Sequence, residues 1–254
     1  MLKAKDRGQA ATPATPNQVA VVVIHGFTST PYSIRYLADQ LAGRGHPVAT
    51  PTLPGHGTNP ADLDAVTWQD WAACIEDEFT KLAGQHRHVA VIGQSLGGLL
   101  ALHLAAKRDD VAAVVSLAAP LWLEGLSNRV ARLTGPGGWL QRVPWIPKVG
   151  GVDVRDAAVK ANEPGYKRVS TKGLAQLCAF MRVVDGELES IRAPLMVIHS
   201  QQDHTAPIAC AMRIASAGRA QRLRVLQHSY HLLAVDVERD DVVAECCQFF
   251  DAHI

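Results

Sequence analysis

Apolar residues in this chain alternate between two textures. Short runs rich in valine, isoleucine and leucine cover residues 19–24, 48–52, 89–92, 111–117, 195–199 and 223–226. Runs of that length, apolar or nearly so as at 19–24 and 89–92, are expected of strands buried on both faces of a parallel sheet. Between them, apolar residues recur at spacings of three and four over residues 33–44, 68–83, 96–106, 208–217 and 240–253, which predicts helices. Strand and helix in alternation predict a mostly parallel sheet covered on both faces, the α/β class.

The alternation breaks between residues 119 and 192. This stretch holds Trp122, Trp139 and Trp145, three of the five tryptophans, with glycine and proline punctuating short segments such as "GPGGWLQRVPWIPKVGG". A connection that long between parallel strands marks a functional or inserted element. The expected organisation is therefore a flexible lead-in at 1–18, a core at 19–118, a lid or cap insertion at 119–192, and the rest of the core at 193–254.

Composition narrows the function classes. The chain has 254 residues, 48% of them hydrophobic, enough for one α/β domain with a large core. The net charge of +1 and the absence of a basic run predict no nucleic-acid partner. No stretch reaches 18 apolar residues and the first 18 residues lack the apolar core of a secretion signal, so neither membrane spanning nor secretion is expected. The five cysteines have neither metal-ligand nor disulfide-scaffold spacing; they predict reduced thiols in a cytoplasmic protein. The histidines and cysteines show no H-E-x-x-H or paired-cysteine pattern, so no metal and no cofactor is expected. A monomer or a small homo-oligomer fits these numbers.

The candidate chemistry starts at "VAVIGQSLGGLLAL", residues 89–102. A strand that becomes a helix within one or two residues strains its corner residue and needs small neighbours, and Gly93 and Gly97 supply the clearance around Ser95. Such a corner lifts the serine to a helix N-terminus, where free N–H groups favour developing negative charge. A serine hydroxyl is a weak nucleophile without a base and an orienting acid. In open parallel sheets the partners lie beyond the carboxyl ends of the strands. Asp203 follows the strand at 195–199 in "SQQDHTAP", and His231 follows the strand at 223–226 in "QHSYHLLAVD", with His228 as the rival base. His204 reads as structural. The order Ser, Asp, His is one of the known triad orders.

These motifs resemble the α/β-hydrolase superfamily, and within it the small bacterial carboxylesterases and monoacylglycerol lipases. "VVVIHGFTSTPYSIRYLADQLAGRGHPVATPTLPGHG" is similar to that group's oxyanion strand, first helix and following loop, "GQSLGG" to its elbow, "QQDHTAP" to its acid loop and "SYHLLAVDVERD" to its histidine loop. Gln94 and Ala206 depart from the usual pattern. The resemblance thins over the insertion. It implies a doubly covered parallel sheet and a cofactor-free serine esterase acting on a small-molecule ester.

Within that reading the oxyanion donors are the N–H groups of Leu96, just after the nucleophile, and of Phe27 in "HGF". His25 and His56 read as structural hydrogen-bonding residues. Trp122, Leu123, Leu126, Trp139, Leu140, Trp145 and Ile146 supply apolar surface expected to face the cleft and hold an acyl chain, with Trp122 and Trp145 taken as substrate-binding. The resemblance further implies that Glu163, Asn162 or Tyr166 binds the free hydroxyls of a glycerol monoester. A thioesterase or other acyl hydrolase on the same triad stays open, and so does a non-catalytic ligand-binding protein on this fold.

Overall fold

The computed structural model describes residues 19–123, 143–148 and 151–254. The lead-in at 1–18 and most of the first half of the insertion, including Leu126, Trp139 and Leu140, lie outside the described residues.

Six parallel strands form one sheet: β1 (Ala20–Ile24), β2 (Val48–Ala49), β3 (Val89–Gln94), β4 (Ala113–Leu117), β7 (Leu195–Ser200) and β8 (Arg222–Leu226). Their spatial order is β2-β1-β3-β4-β7-β8. Within the insertion, β5 (Trp145–Pro147) and β6 (Arg168–Ser170) pair as a small antiparallel ribbon. The helices are α1 (Arg35–Gly43), α2 (Trp68–Ala83), α3 (Leu96–Lys107), α4 (Ala157–Asn162), α5 (Thr171–Glu187), α6 (Ile208–Ala217) and α7 (Arg239–His253).

Side chains alternate across a strand, so each central strand feeds two cores. Ala20, Val22 and Ile24 of β1 join Trp71 and Phe79 of α2, Leu99 of α3 and Phe180 of α5 on one face. Val21 and Val23 join Leu37 of α1 and Phe249 and Phe250 of α7 on the other. Every residue of β1, β3, β4 and β7 is buried, which explains their unbroken apolar runs. α2 starts where Thr67 and Asp70 cap each other, the Asp70 carboxylate accepting the Thr67 N–H at 2.8 Å, and it buries Trp71, Ile75 and Phe79 at four-residue spacing.

One expectation is corrected here. The strand expected at 48–52 ends at Ala49, because Pro51 has no N–H for the ladder and the chain departs toward the site. The stretch expected to be insertion up to residue 192 includes α5, a 17-residue helix. Leu177, Phe180, Met181 and Val184 of α5 are buried in the main core, and Phe180 stacks on Trp68 with ring centroids 5.2 Å apart. α5 thus packs into the main core while Leu174 and Leu177 also line the cavity described below.

Candidate active site

Ser95 stands between β3 and α3 with φ 59° and ψ −117°, a left-handed backbone that a non-glycine residue adopts only under strong constraint. Its N–H is anchored to the Leu117 carbonyl on β4 at 2.8 Å. The constraint is steric. A Cβ on Gly93 would overlap the Gly97 carbonyl, and a Cβ on Gly97 would overlap the Ile24 carbonyl of β1. The two glycines flanking Ser95 thus let α3 lie against β3 and β1, which is what drives the serine outward.

The other two sequence-predicted residues converge on it. His231 Nε2 lies 2.9 Å from Ser95 Oγ, and His231 Nδ1 lies 2.7 Å from Asp203 Oδ2. Asp203 Oδ1 accepts the N–H groups of Thr205 and Ala206, each at 2.8 Å, which fixes the carboxylate. His199, at the end of β7, approaches the same carboxylate at 3.4 Å and donates from Nε2 to the Ala206 carbonyl at 2.9 Å. Burial pulls the His231 pKa down, but the charge and hydrogen bond of Asp203 outweigh it, with Asp153 adding to them, so the group titrates above the ordinary histidine value. Burial likewise pushes Asp203 up; His231, then His199 and the Ala206 N–H, overcome it and hold the carboxyl below the usual range. Both shifts favour an imidazolium paired with a carboxylate.

His228, the rival base, is exposed and outside the cavity; its N–H goes to Glu238 at 2.9 Å. His25 Nε2 accepts the Leu53 N–H at 3.1 Å and its Nδ1 donates to the Gly26 carbonyl at 2.9 Å. Burial, then the neighbouring His56, pushes its pKa down to about 3, so it is a neutral structural group. His56 is tied to the Pro54 carbonyl at 3.0 Å.

Leu96 is the first residue of α3, so its N–H has no acceptor within the helix. Gly26 to Ser29 form a tight turn against Ser95, closed by the Ser29 N–H on the Gly26 carbonyl at 3.2 Å, with Thr28 at φ 62°. Phe27 in that turn lines the same cavity as Ser95.

That cavity has a volume of about 510 Å³. Leu123, Ile146, Val169, Leu174 and Leu177 give it an apolar side; Thr28, Lys148, Asp153, Lys160, Glu163 and His204 give it a polar one. Thr28 and Ser29 each hold one charged residue of the insertion: Lys148 Nζ donates to Thr28 Oγ1 at 3.3 Å, and Ser29 Oγ donates to Glu163 at 2.6 Å. Burial lowers the Lys148 pKa, with Glu163 and Asp153 opposing.

Trp122 and Trp145, expected on the cleft, are not among the lining residues. Trp122 is 43% exposed, and Trp145 is half-buried in the β5–β6 ribbon, where its neighbour Ile146 faces the cavity instead. Strand alternation sends the two to opposite faces. Tyr166 also lies outside the lining; its hydroxyl donates to the Gly55 carbonyl at 2.9 Å and accepts the Thr58 N–H at 3.1 Å, and Asn162 is exposed. Sequence reasoning missed Lys148 and Asp153, which carry no periodic or motif signal. Among the described residues no group of histidine, cysteine and acidic side chains has a metal-binding arrangement, and no helix is long and apolar enough to cross a membrane.

Residues 21–245 match the model of the alpha/beta hydrolase family. The chain belongs to that family. It is 32% identical over 237 residues to a thermostable monoacylglycerol lipase of Bacillus sp. (strain H-257), covering 92% of this chain and 91% of the relative. A carboxylesterase of Bacillus subtilis (strain 168) is 25% identical over 91% of this alpha/beta hydrolase and 92% of its own length. Among solved structures, that of the metagenome-derived lipolytic enzymes LipS and LipT superposes with a TM-score of 0.84 at 28% identity, covering 93% of this chain and 95% of the other.

Proposed function

We propose that this alpha/beta hydrolase is a serine esterase that cleaves carboxylic esters through an acyl-enzyme on Ser95. The observation that carries the reading is the continuous relay Ser95–His231–Asp203 at 2.9 and 2.7 Å, opening on the cavity. His231 Nε2 takes the Ser95 proton as Oγ bonds to the ester carbonyl carbon. The carbonyl oxygen becomes an oxyanion, for which the Leu96 and Phe27 N–H groups are the donors. His231 then returns the proton to the departing alcohol, and water repeats the sequence on the acyl-enzyme to release the acid.

The cavity's division supports a medium-chain acyl group on the Leu174–Leu177 side and a small polar alcohol on the Lys148–Glu163 side. A carboxylate that accepts and an ammonium that donates suit free hydroxyls, so monoacylglycerols are the substrate class we favour, in keeping with the similarity to the Bacillus monoacylglycerol lipase. None of the five cysteines is in a disulfide, which supports a reducing, cytoplasmic setting.

One experiment tests the reading. Purified protein and Ser95→Ala are assayed against nitrophenyl esters of graded length, monoacylglycerols, triacylglycerols and acyl-CoA, with sulfonyl-fluoride labelling read by mass spectrometry. Hydrolysis of monoacylglycerols and medium-chain esters, lost in Ser95→Ala, with the label on Ser95, is the expected result. Preferred turnover of acyl-CoA makes it a thioesterase; no turnover and no label leave a ligand-binding protein.

A further inference from the structure

Asp153 belongs to neither catalytic loop, yet it is bonded to both. Its carboxylate accepts the His204 N–H at 3.1 Å, His204 Nδ1 at 2.8 Å and the Thr205 hydroxyl at 3.0 Å. Those two residues directly follow Asp203. Its main-chain carbonyl accepts the N–H groups of His231 and Leu232, both at 3.1 Å. Past the last strand pair, Ser200 with Leu226, the two loops are also joined by the Asp203–His231 bond, by the Gln201 N–H on the Leu226 carbonyl at 2.9 Å, by Ser200 Oγ donating to the Ser229 carbonyl, and by Gln202 reaching the Gln227 carbonyl at 2.6 Å.

The residues after Asp153 continue the fastening. Val154 is buried against Leu232 and Val235. The N–H groups of Arg155 and Asp156 enter the buried Asp236 carboxylate, which also takes the Tyr230 N–H at 2.7 Å. Arg155 reaches the His228 carbonyl at 2.8 Å. Residues 153–156 are therefore a strap laid across the loops that present the acid and the base.

We propose that Asp153 is a positioning residue of the triad, clamping the acid loop to the histidine loop and favouring, as a carboxylate lining the same cavity as His231, the imidazolium that forms during attack. The inference rests on the serine-esterase reading. Attack of Ser95 places positive charge on a buried imidazole, and a second fixed carboxylate nearby stabilises that charge without reorganising. The titratable groups around His231 are Asp203 bonded to it, His199 behind Asp203, Asp153 across the strap, His204 bonded to Asp153, and Lys148 on the cavity side. Asp153 works with Asp203; Lys148 opposes them.

Asp153→Asn keeps the shape and the main-chain carbonyl but removes the charge. Relative to wild type, kcat for a medium-chain nitrophenyl ester falls on the order of tenfold, with KM changed less than about twofold, as expected when alignment and transition-state charge are lost but substrate contacts stay. The acid limb of kcat/KM moves to lower pH. Asp153→Glu, which restores the anion, returns the limb toward its wild-type position. In an Asp203→Asn background, Asp153→Asn costs much less than it does alone, since both act through His231. Circular dichroism and thermal melting of each variant confirm that the protein compared is folded. A wild-type kcat and an unmoved pH limb in Asp153→Asn overturn the proposal, as do losses that simply add in the double variant. If Ser95→Ala is inactive while Asp153→Asn behaves as wild type, this proposal alone fails; if Ser95→Ala stays active, the esterase reading fails with it.

Discussion

The side-chain oxygen of Gln94 accepts the N–H of Ala234 at 2.9 Å, joining the residue before the proposed nucleophile to the loop that carries the proposed base. Gln94 is fully buried, and its Nε2 has no hydrogen-bond partner among the described residues. Replacing it with leucine keeps the bulk but strands the Ala234 N–H. Unfolding free energy, read by urea titration, falls by about 1–3 kcal/mol, the cost of a buried donor left unmade. Activity drops in kcat more than in KM, because the histidine loop loses its tie to the elbow. Unchanged stability and kcat would show that the bond contributes nothing.

On the proposed mechanism the titration of His231 sets the pH profile. Only the neutral imidazole accepts the serine proton, and its pKa is raised, so kcat/KM rises with pH through a midpoint above 6.5 and then levels off. Asp203→Asn removes the main upward influence and moves that midpoint down while reducing kcat on the order of 10⁴-fold. The stability contribution has the opposite pH sense for the histidine. A raised folded pKa makes its contribution full below 6.5 and lost as pH climbs through the folded value, whereas that of Asp203, with its lowered pKa, is present above 3.8 and lost as pH falls. His228→Ala leaves the profile in place; a profile that follows His228 instead would reassign the base.

Packing at the elbow admits no Cβ at positions 93 and 97. Gly97→Ala forces α3 away from the Ile24 carbonyl and is expected to abolish soluble expression or activity. Gly186→Ala, in α5 where nothing lies within 4 Å of an added Cβ, raises stability by about 0.5–1 kcal/mol through helix propensity. Melting curves of the two variants check the contrast, and a tolerated Gly97→Ala would count against the tight-corner account.

Acyl length reads out the apolar side of the cavity. Each methylene that enters it contributes ~0.8 kcal/mol, so kcat/KM rises by up to about fourfold per carbon until the space is full. Leu177→Trp fills part of that space and shifts the best substrate to a shorter chain. Identical chain-length profiles for the two proteins would place the acyl group elsewhere.

The centre of the sheet was legible in the sequence because β1, β3, β4 and β7 are buried on both faces, and burial writes itself as unbroken runs such as Val89 to Ile92. The elbow was legible because its geometry tolerates so few residues at positions 93 and 97. Asp203 and His231 were legible from their places after two strand ends. What escaped the sequence is tertiary in origin. The β5–β6 ribbon is two strands of three residues each, too short to show a period. α5 has a helical spacing, but only packing reveals that Phe180 serves the main core. The tryptophans advertise apolar surface without saying which way it faces, and Trp122 faces solvent. Asp153 is a single acidic residue in a loop, and its partners, His204 and His231, are 51 and 78 positions away.

The turn at Thr28 and Ser29 is fastened to the insertion by the bonds to Lys148 and Glu163, and again by the Tyr166 N–H on the Thr28 carbonyl at 2.8 Å. The next residue back, Phe27, carries one of the two proposed oxyanion donors. A leaving alcohol that engages Glu163 or Lys148 thereby pulls on the same short piece of backbone that must hold its aim as charge develops. On the proposed reading, selectivity between alcohols is then expressed in how fast the acyl group is transferred, and only weakly in how tightly the ester is held.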